Sequence, residues 1–424
     1  MIKVSVIIPV YNAQEYLTEC ISSVRKQTIA ELEMLCVDDG STDDSLRVMR
    51  ELQKRDNRIH IFQQSNQGAG AARNLALKNA KGEFVCFLDA DDYFLDQTAL
   101  EKLYETAASK KIKICGAKFY KNFGNEIKFI NTYGNLYQNA KEQGKLQFTD
   151  YQYDYYFTNY VYSRKFLADN DIQFPNYRRF EDPPFFVKAM FASGAFCIVD
   201  VPFYCCRAGY KKVNYENEKQ MIDIMQGMMD NLSFSRKMGL KRLHRLTYYR
   251  MIEICSTVFV RFIQEGNVYL SEKLKQANNI VRWEWLEEKC NINKRILKPL
   301  LIMNEGFKEI ISDDRNEKKS KWLFPMQYLH QGDRIALYGA GNVGRDFFKQ
   351  IQEGEDFFLC VWVDKNFREI SETGYKVLPP HSLAEVDFDY VIIAVLDIIA
   401  AMEIMDDLEE IGVSSDKIIW DVEA

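Results

Sequence analysis

Three apolar runs in the first hundred residues are each followed by side chains able to do chemistry. Phe87-Leu88-Asp89-Ala90-Asp91-Asp92 sets three carboxylates just past one such run. Hard oxygen ligands there suit Mg²⁺ or Mn²⁺, above all when phosphate oxygens complete the shell. Aspartate is also common in turns, so this cluster by itself reads first as a turn. Two further runs lead into Val37-Asp38-Asp39-Gly40-Ser41-Thr42-Asp43 and Ile8-Pro9-Val10-Tyr11-Asn12. An aspartate in such a place can accept the imide N–H of a uracil ring, and an aromatic can stack on it. Gln67-Gly68-Ala69-Gly70-Ala71-Ala72-Arg73-Asn74 then brings glycines and an arginine to a loop-to-helix start. Its backbone N–H groups and the Arg73 guanidinium suit a phosphate or a nucleotide.

Such groups need a rigid frame, and the surrounding pattern supplies one. Strand signals at Val4–Pro9, Leu32–Val37, Ile59–Phe62, Phe84–Leu88 and Ile112–Phe119 alternate with helical spacing. The helical segments are the stretch after Tyr16, Asp44–Leu52, Ala69–Ala80 and Thr98–Ala108. Alternation of this kind predicts a mainly parallel sheet covered on both faces. Ligands of such sheets bind outside the carboxyl ends of the strands, where the polar clusters fall.

The ordered set resembles the inverting family 2 glycosyltransferases of GT-A fold, over residues 1–212. The segments that carry the likeness are Val-Ser-Val-Ile-Ile-Pro-Val-Tyr-Asn from Val4, Val-Asp-Asp-Gly-Ser-Thr-Asp from Val37, Gly-x-x-x-Ala-Arg-Asn and Leu-Asp-Ala-Asp-Asp from Leu88. Phe180-Glu181-Asp182-Pro183-Pro184 fits a later acceptor-side motif. The resemblance implies that Pro9, Tyr11 and Asp39 hold the nucleotide base, with Asp38 and Asn12 beside them. It puts Arg73 next to the nucleotide, Asp89 near the ribose and Asp91 on the Mn²⁺ or Mg²⁺. Asp182 becomes the base that deprotonates an acceptor hydroxyl, with Glu181 as its substitute. Asp182 before Pro183 also suits a helix N-cap with proline at the first helical position. Tyr204-Cys205-Cys206-Arg207 loosely matches a stretch near the diphosphate, making Arg207 a further donor-site candidate. The implied reaction is one in-line displacement on a nucleotide sugar, a UDP-sugar by the uracil argument. The acceptor is a glycan or lipid-linked glycan of a surface polysaccharide.

Between 148 and 162 the chain is dense in aromatics, which suits either packing onto the sheet, the favoured reading, or stacking on pyranose rings. Residues 213–325 read as a helical region and linker. They hold Ile222, Met225 and Met229, a stripe Tyr248, Ile252, Cys255, Phe259, Phe262, and a charged run Asp313–Lys319. Arg236, Lys237, Lys241, Arg242, Arg245 and Arg250 form a basic stretch. It can lie on an anionic membrane surface or be a solvated or acid-paired face.

A second strand–helix pattern fills 331–424, an α/β module that resembles the small Rossmann-like units attached to sugar-polymer enzymes. Gly339-x-Gly341-x-x-Gly344 follows a strand, and Asp364 ends the next, which meets the dinucleotide fingerprint. A nucleotide in this module or a structural, oligomer-forming role both remain open. The same stretch carries 20 acidic against 7 basic residues, so the rest of the chain is net basic.

The net charge of −6 argues against nucleic acid as a partner. Ten cysteines without a Cys-x-x-Cys pair and only four histidines argue against a zinc site and for a reducing compartment. No signal-peptide pattern or 18-residue apolar run is present, which predicts a cytoplasmic protein, at most peripheral at the inner membrane face. Two rival functions stay in view. One is a nucleotide-dependent sugar oxidoreductase or epimerase working through Gly341, and the other is a non-catalytic glycan-binding scaffold.

Overall fold

The structure, a computed structural model, describes residues 1–130, 144–208, 217–254, 268–282, 324–354, 356–371 and 375–421, with a few isolated positions between them. Cys255, Phe259, Phe262 and the run Asp313–Lys319 lie outside the described residues. The chain divides into two compact units, Met1–Leu243 and His244–Ala424.

The first unit is built on β1 (Val4–Val10) and β2 (Leu32–Asp38), buried at every position as central parallel strands require. α1 (Leu17–Arg25) follows β1. α2 (Ser45–Gln53) leads to β3 (Ile59–Gln63), and α3 (Ala69–Asn79) leads to β4 (Phe84–Phe87). Then come β5 (Tyr93–Phe94), α4 (Ala99–Ser109), β6 (Ile114–Asn122), β7 (Ile127–Phe129), β8 (Leu146–Gln147) and α5 (Phe148–Tyr151). β9 (Tyr160–Ser163), α6 (Arg164–Asp169), α7 (Asp182–Ser193), β10 (Ala195–Arg207) and α8 (Glu218–Met238) complete the unit. The strands form one sheet in the order β3-β2-β1-β4-β9-β6-β10-β5, with β7 on β6 and β8 on β10.

The expected parallel run holds for β3, β2, β1 and β4. β9 then enters antiparallel between β4 and β6, so the sheet is mixed. Its strand signal is hidden because only four residues, Tyr160–Ser163, form the strand at the end of the aromatic-dense stretch. Phe148, Tyr153, Phe157, Tyr160 and Tyr162 of that stretch are all buried, and Phe87 packs edge-on against Phe174 and Phe185 beside them. Packing, not sugar stacking, is what these five rings do.

In the second unit, β11 (Arg334–Tyr338), α11 (Asn342–Glu353), β12 (Phe358–Val363), α12 (Phe367–Ser371), β13 (Tyr390–Ile393), α13 (Ile398–Glu410) and β14 (Ile418–Ile419) follow α9 (Lys241–Ile254) and α10 (Val268–Ile280). Its strands are all parallel, in the order β12-β11-β13-β14. Arg245 and Arg250 of the basic stretch are buried, so those two cations do not belong to an exposed stripe.

Candidate functional site

The carboxyl ends of β1, β2 and β4 open on one cavity of about 1080 Å³, within the first unit. Its wall includes Pro9, Tyr11, Asp39, Arg73, Asp89 and Asp91, together with Glu181 and Arg207. Side chains far apart in sequence thus meet because parallel strands send their connections to the same edge. Asp38, Asn12 and Asp182 are not part of that wall.

Each residue is held by a definable device. Asn12 has a positive φ of 48°, a backbone region that asparagine tolerates. Its Oδ1 accepts from Thr42 N at 2.8 Å, and its own N–H donates to Ser41 Oγ at 3.1 Å. Asn12 therefore ties the first rim loop to the second. The buried Asp38 accepts from Ser41 N at 3.2 Å within that second loop. Asp39 accepts from Gln64 Nε2, Gln67 N and Gly68 N, each at 2.8 Å. Three of a carboxylate's roughly four acceptor positions are thereby taken, and the glycine loop is fixed at the mouth of the cavity. Tyr11 is 47 % exposed on the wall, as a ring awaiting a stacking partner would be.

Arg73 is buried at 4 % exposure and joins two walls. Nη1 donates to Glu181 Oε1 and Nη2 to Asp89 Oδ1, both at 2.7 Å. The guanidinium lies over the Phe157 and Phe174 rings, 4.9 and 5.2 Å from their centres. Burial works against its charge, but Asp89 and Glu181 outweigh it and hold Arg73 more basic than a free arginine. Charge pairing of this kind explains how an arginine can be buried at all.

α7 begins at Asp182, with Pro183 and Pro184 in its first turn, one residue earlier than a cap at Asp182 predicts. Glu181, at the capping position, makes no capping bond because its carboxylate is engaged by Arg73. Burial pushes the Asp182 carboxyl up to about 7, with Glu181's charge adding and Arg73's opposing. A carboxyl in that range can accept a proton near neutral pH.

On the opposite wall, buried Asp92 accepts from Tyr204 Oη at 2.6 Å and from Arg207 N at 2.9 Å. Arg207 donates to the Asp91 carbonyl and to Glu19, and its guanidinium lies over the Tyr93 ring. Asp92 is thus the clamp that sets Arg207 beside Asp91, a role the sequence motif did not separate from its neighbours. Arg178, Arg179 and Lys121 also line the cavity and were not singled out beforehand. The arginine pair directly precedes Phe180-Glu181-Asp182, and Lys121 lies near the end of β6, so strand-end reasoning could have found all three.

For a divalent cation, the donor chemistry fits only with help from substrate. Asp89 is paired with Arg73 and Asp92 with Tyr204, and Asp91 lies beside them on the cavity wall. Among the described residues no three ligating side chains gather into a protein-only metal site. One carboxylate plus diphosphate oxygens is a common way to hold Mg²⁺ or Mn²⁺.

In the second unit, Asp364 Oδ2 accepts from Ala340 N and Oδ1 from Asn366 N, both at 2.7 Å. A Cβ on Gly344 would fall 2.0 Å from the Gly339 carbonyl oxygen, whereas one on Gly341 would meet nothing within 4 Å. Gly344 therefore serves close packing of helix on turn. A groove in this unit runs along α11 past Arg345, Lys349 and Tyr375, and Gly339, Gly341, Gly344 and Asp364 do not line it.

The architecture is a GT-A-like fold. Residues 5–170 match the sequence profile of glycosyl transferase family 2. Residues 331–419 match a second profile, C2185-like, N-terminal. The uncharacterised glycosyltransferase EpsJ of Bacillus subtilis (strain 168) is 30 % identical over 214 residues, 48 % of this chain and 60 % of EpsJ. The putative glycosyltransferase EpsH of the same organism is 29 % identical over 231 residues, 52 % of this chain and 65 % of EpsH. The aligned part thus spans less than two thirds of either relative. A crystal structure of S. aureus TarS 1–349 in complex with UDP-GlcNAc superposes with a TM-score of 0.53 at 22 % identity. It covers 67 % of this chain and 83 % of the TarS chain, a likeness of fold. Among the described residues no helix is long and apolar enough to cross a membrane.

Proposed function

We propose that the chain transfers a sugar from a UDP-sugar to a glycan hydroxyl with inversion at the anomeric carbon. It would act in the synthesis of a surface polysaccharide, in the cytoplasm or at the inner face of the membrane. The observation that carries this reading is the single cavity walled by Tyr11, Asp39, Asp89, Asp91, Arg207 and Glu181. The solved TarS complex with UDP-GlcNAc supports a uridine donor for a site of this fold.

In this reading the base stacks on Tyr11 beside Pro9, at the loop that Asp39 secures. Arg207 would face the diphosphate, and Asp91 with diphosphate oxygens would hold Mn²⁺ or Mg²⁺, which would supply neutralisation of charge at the leaving group. Asp182, not Glu181, accepts the acceptor proton. Glu181 is committed to Arg73 at 2.7 Å, whereas the Asp182 carboxyl, pushed up to about 7, has the basicity the step needs. Catalytic hydrogen bonds commonly tighten only when substrate is bound, so the place of Asp182 at the start of α7, next to Glu181 of the cavity wall, is compatible with this role. The eight described cysteines are all free, which supports a reducing compartment.

The test is a panel of UDP-sugars with Mn²⁺ or Mg²⁺, read as UDP release with and without candidate glycan acceptors. Donor- and acceptor-dependent release is the expected result, abolished by Asp182→Asn. No release from any donor, together with no measurable UDP binding, would overturn the assignment.

A further inference from the structure

The segment between Pro175 and Asp182 carries Arg178, Arg179 and Glu181 to the cavity, and its backbone is not relaxed. Phe180 sits at φ 63°, a region that bulky side chains rarely adopt and that persists only where surroundings enforce it. The enforcing surroundings are on α8, beyond the 5–170 stretch matched by the family profile. Tyr177 Oη donates to Asp230 Oδ2 at 2.7 Å, and Arg178 N donates to Asp223 Oδ2 at 2.8 Å. Gly227 lies directly beneath Phe180, since a Cβ there would come within 2.7 Å of both the Phe180 carbonyl oxygen and Cδ1. Positions 223, 227 and 230 recur at intervals of four and three, which is one face of a helix.

We infer that α8 is a jig for the catalytic segment, and that Gly227 and Asp223 are positioning residues acting through Phe180 and Arg178 on Glu181 and Asp182. The contacts are of two kinds and reinforce each other. Asp223 and Asp230 fix the height of the segment along the helix through charged hydrogen bonds. Gly227 lets the Phe180 backbone approach the helix surface, which any side chain would prevent. Residues 181 and 182 follow directly, so their placement is inherited from this contact. Displacement of a reacting group by ~1 Å can cost ~100-fold in rate, so a methyl group at 227 is expected to be felt in catalysis.

This inference rests on the proposed transfer reaction for its kinetic arm but has an independent structural arm. Gly227→Ala, Asp223→Ala and Asp223→Asn would be prepared in the full chain. Amide hydrogen exchange of segment 176–182, kcat, donor KM and UDP binding by calorimetry would be compared with the parent. Asn keeps an acceptor for the Arg178 N–H, and Ala does not. Gly227→Ala and Asp223→Ala should accelerate exchange at Arg178 to Asp182 at least about tenfold and lower kcat about tenfold or more. UDP affinity and donor KM should stay within about threefold, and Asp223→Asn should behave like the parent. Unchanged exchange in both alanine variants overturns the inference. So does accelerated exchange with kcat intact, or a kcat loss matched by an equal loss of UDP affinity. If the parent turns over no donor, the transfer reading fails on its own, and exchange alone then decides whether α8 fixes the segment.

Discussion

In the first unit the turn at Gln67 and Gly68 is fastened by Asp39, whose oxygens accept both backbone N–H groups. In the second unit the turn at Gly339 and Ala340 is fastened by Asp364, which accepts from Ala340 N. Both devices place a glycine turn before a helix and clamp it from the end of the neighbouring strand. Around the first, three further polypeptide segments converge with Asp89, Asp91, Arg207 and Glu181 on a large cavity. Around the second, the described groove lies along α11, and the glycines do not line it. The difference teaches that a carboxylate-clamped glycine turn is a folding device first. It becomes a binding site when other strand ends bring chemistry to the same mouth.

The sharpest way to break this contrast is to remove the base from the richer site. Asp182→Asn should lower transfer by about 10³-fold, within the range of ~10²–10⁴ for a general base, while UDP binding persists. Retention of full turnover would move the base to another carboxylate, one that lines the cavity. Nearly as large an effect is expected from the cation. Chelation should abolish UDP-sugar turnover and Mn²⁺ or Mg²⁺ should restore it. Asp91→Ala should leave a residue of activity that added cation no longer raises.

The pH profile sharpens the assignment of Asp182. Because that carboxyl sits near 7 in the folded chain and must be ionised to accept a proton, kcat should rise through about pH 7 to a plateau. A raised carboxyl also means that the folded state binds more protons than the unfolded one between the ordinary carboxylate range and 7. Stability is therefore lost as pH rises through that window, and Asp182→Asn should unfold at a higher temperature than the parent at pH 8. A smaller and more diagnostic pair compares the two clamps. Asp39→Asn should weaken UDP binding about tenfold by loosening the turn at Gly68. Asp364→Asn should leave transfer within about twofold and cost about 1–3 kcal/mol of stability in its own unit, the worth of a charged hydrogen bond. Equal losses of transfer in both would tie the second turn to the reaction, against the contrast drawn above.

Gly341→Asp gives the smallest expected change. The position opens on empty space, so transfer and folding should be unaffected. Measurable NAD(H) binding lost in this variant would instead favour an oxidoreductase or epimerase working through the second unit.

Much of the frame was legible because hydrophobic periodicity is local. The strand signals at Leu32–Val37 and Phe358–Val363, for example, correspond to β2 and β12 within a residue. β9 was not legible, since its four residues, Tyr160–Ser163, follow an aromatic-dense stretch too directly to stand out as a strand, and neither was the interruption of the parallel sheet that it causes. The basic stretch misled in part, because Arg245 and Arg250 are buried and charge counting carries no information on burial. Among chemical groups, the order of the acidic clusters along the chain carried the resemblance to family 2, whose profile matches residues 5–170. That order could not show that Asp92, which lines the cavity beside Asp91, is committed to Tyr204 and Arg207.

What the amino-acid order determined alone was a set of strands with polar clusters at their ends, because side-chain period and turn chemistry are written within a few residues. Only the tertiary structure decided which carboxylates are paired and which are pushed up by burial. Arg73 reaches Asp89 sixteen residues away and Glu181 more than a hundred away, and that pairing engages both acids while the neighbouring Asp182 carboxyl is pushed up by burial. Protonation depends on burial and on charges a few ångströms off, and those distances exist only once the chain has folded.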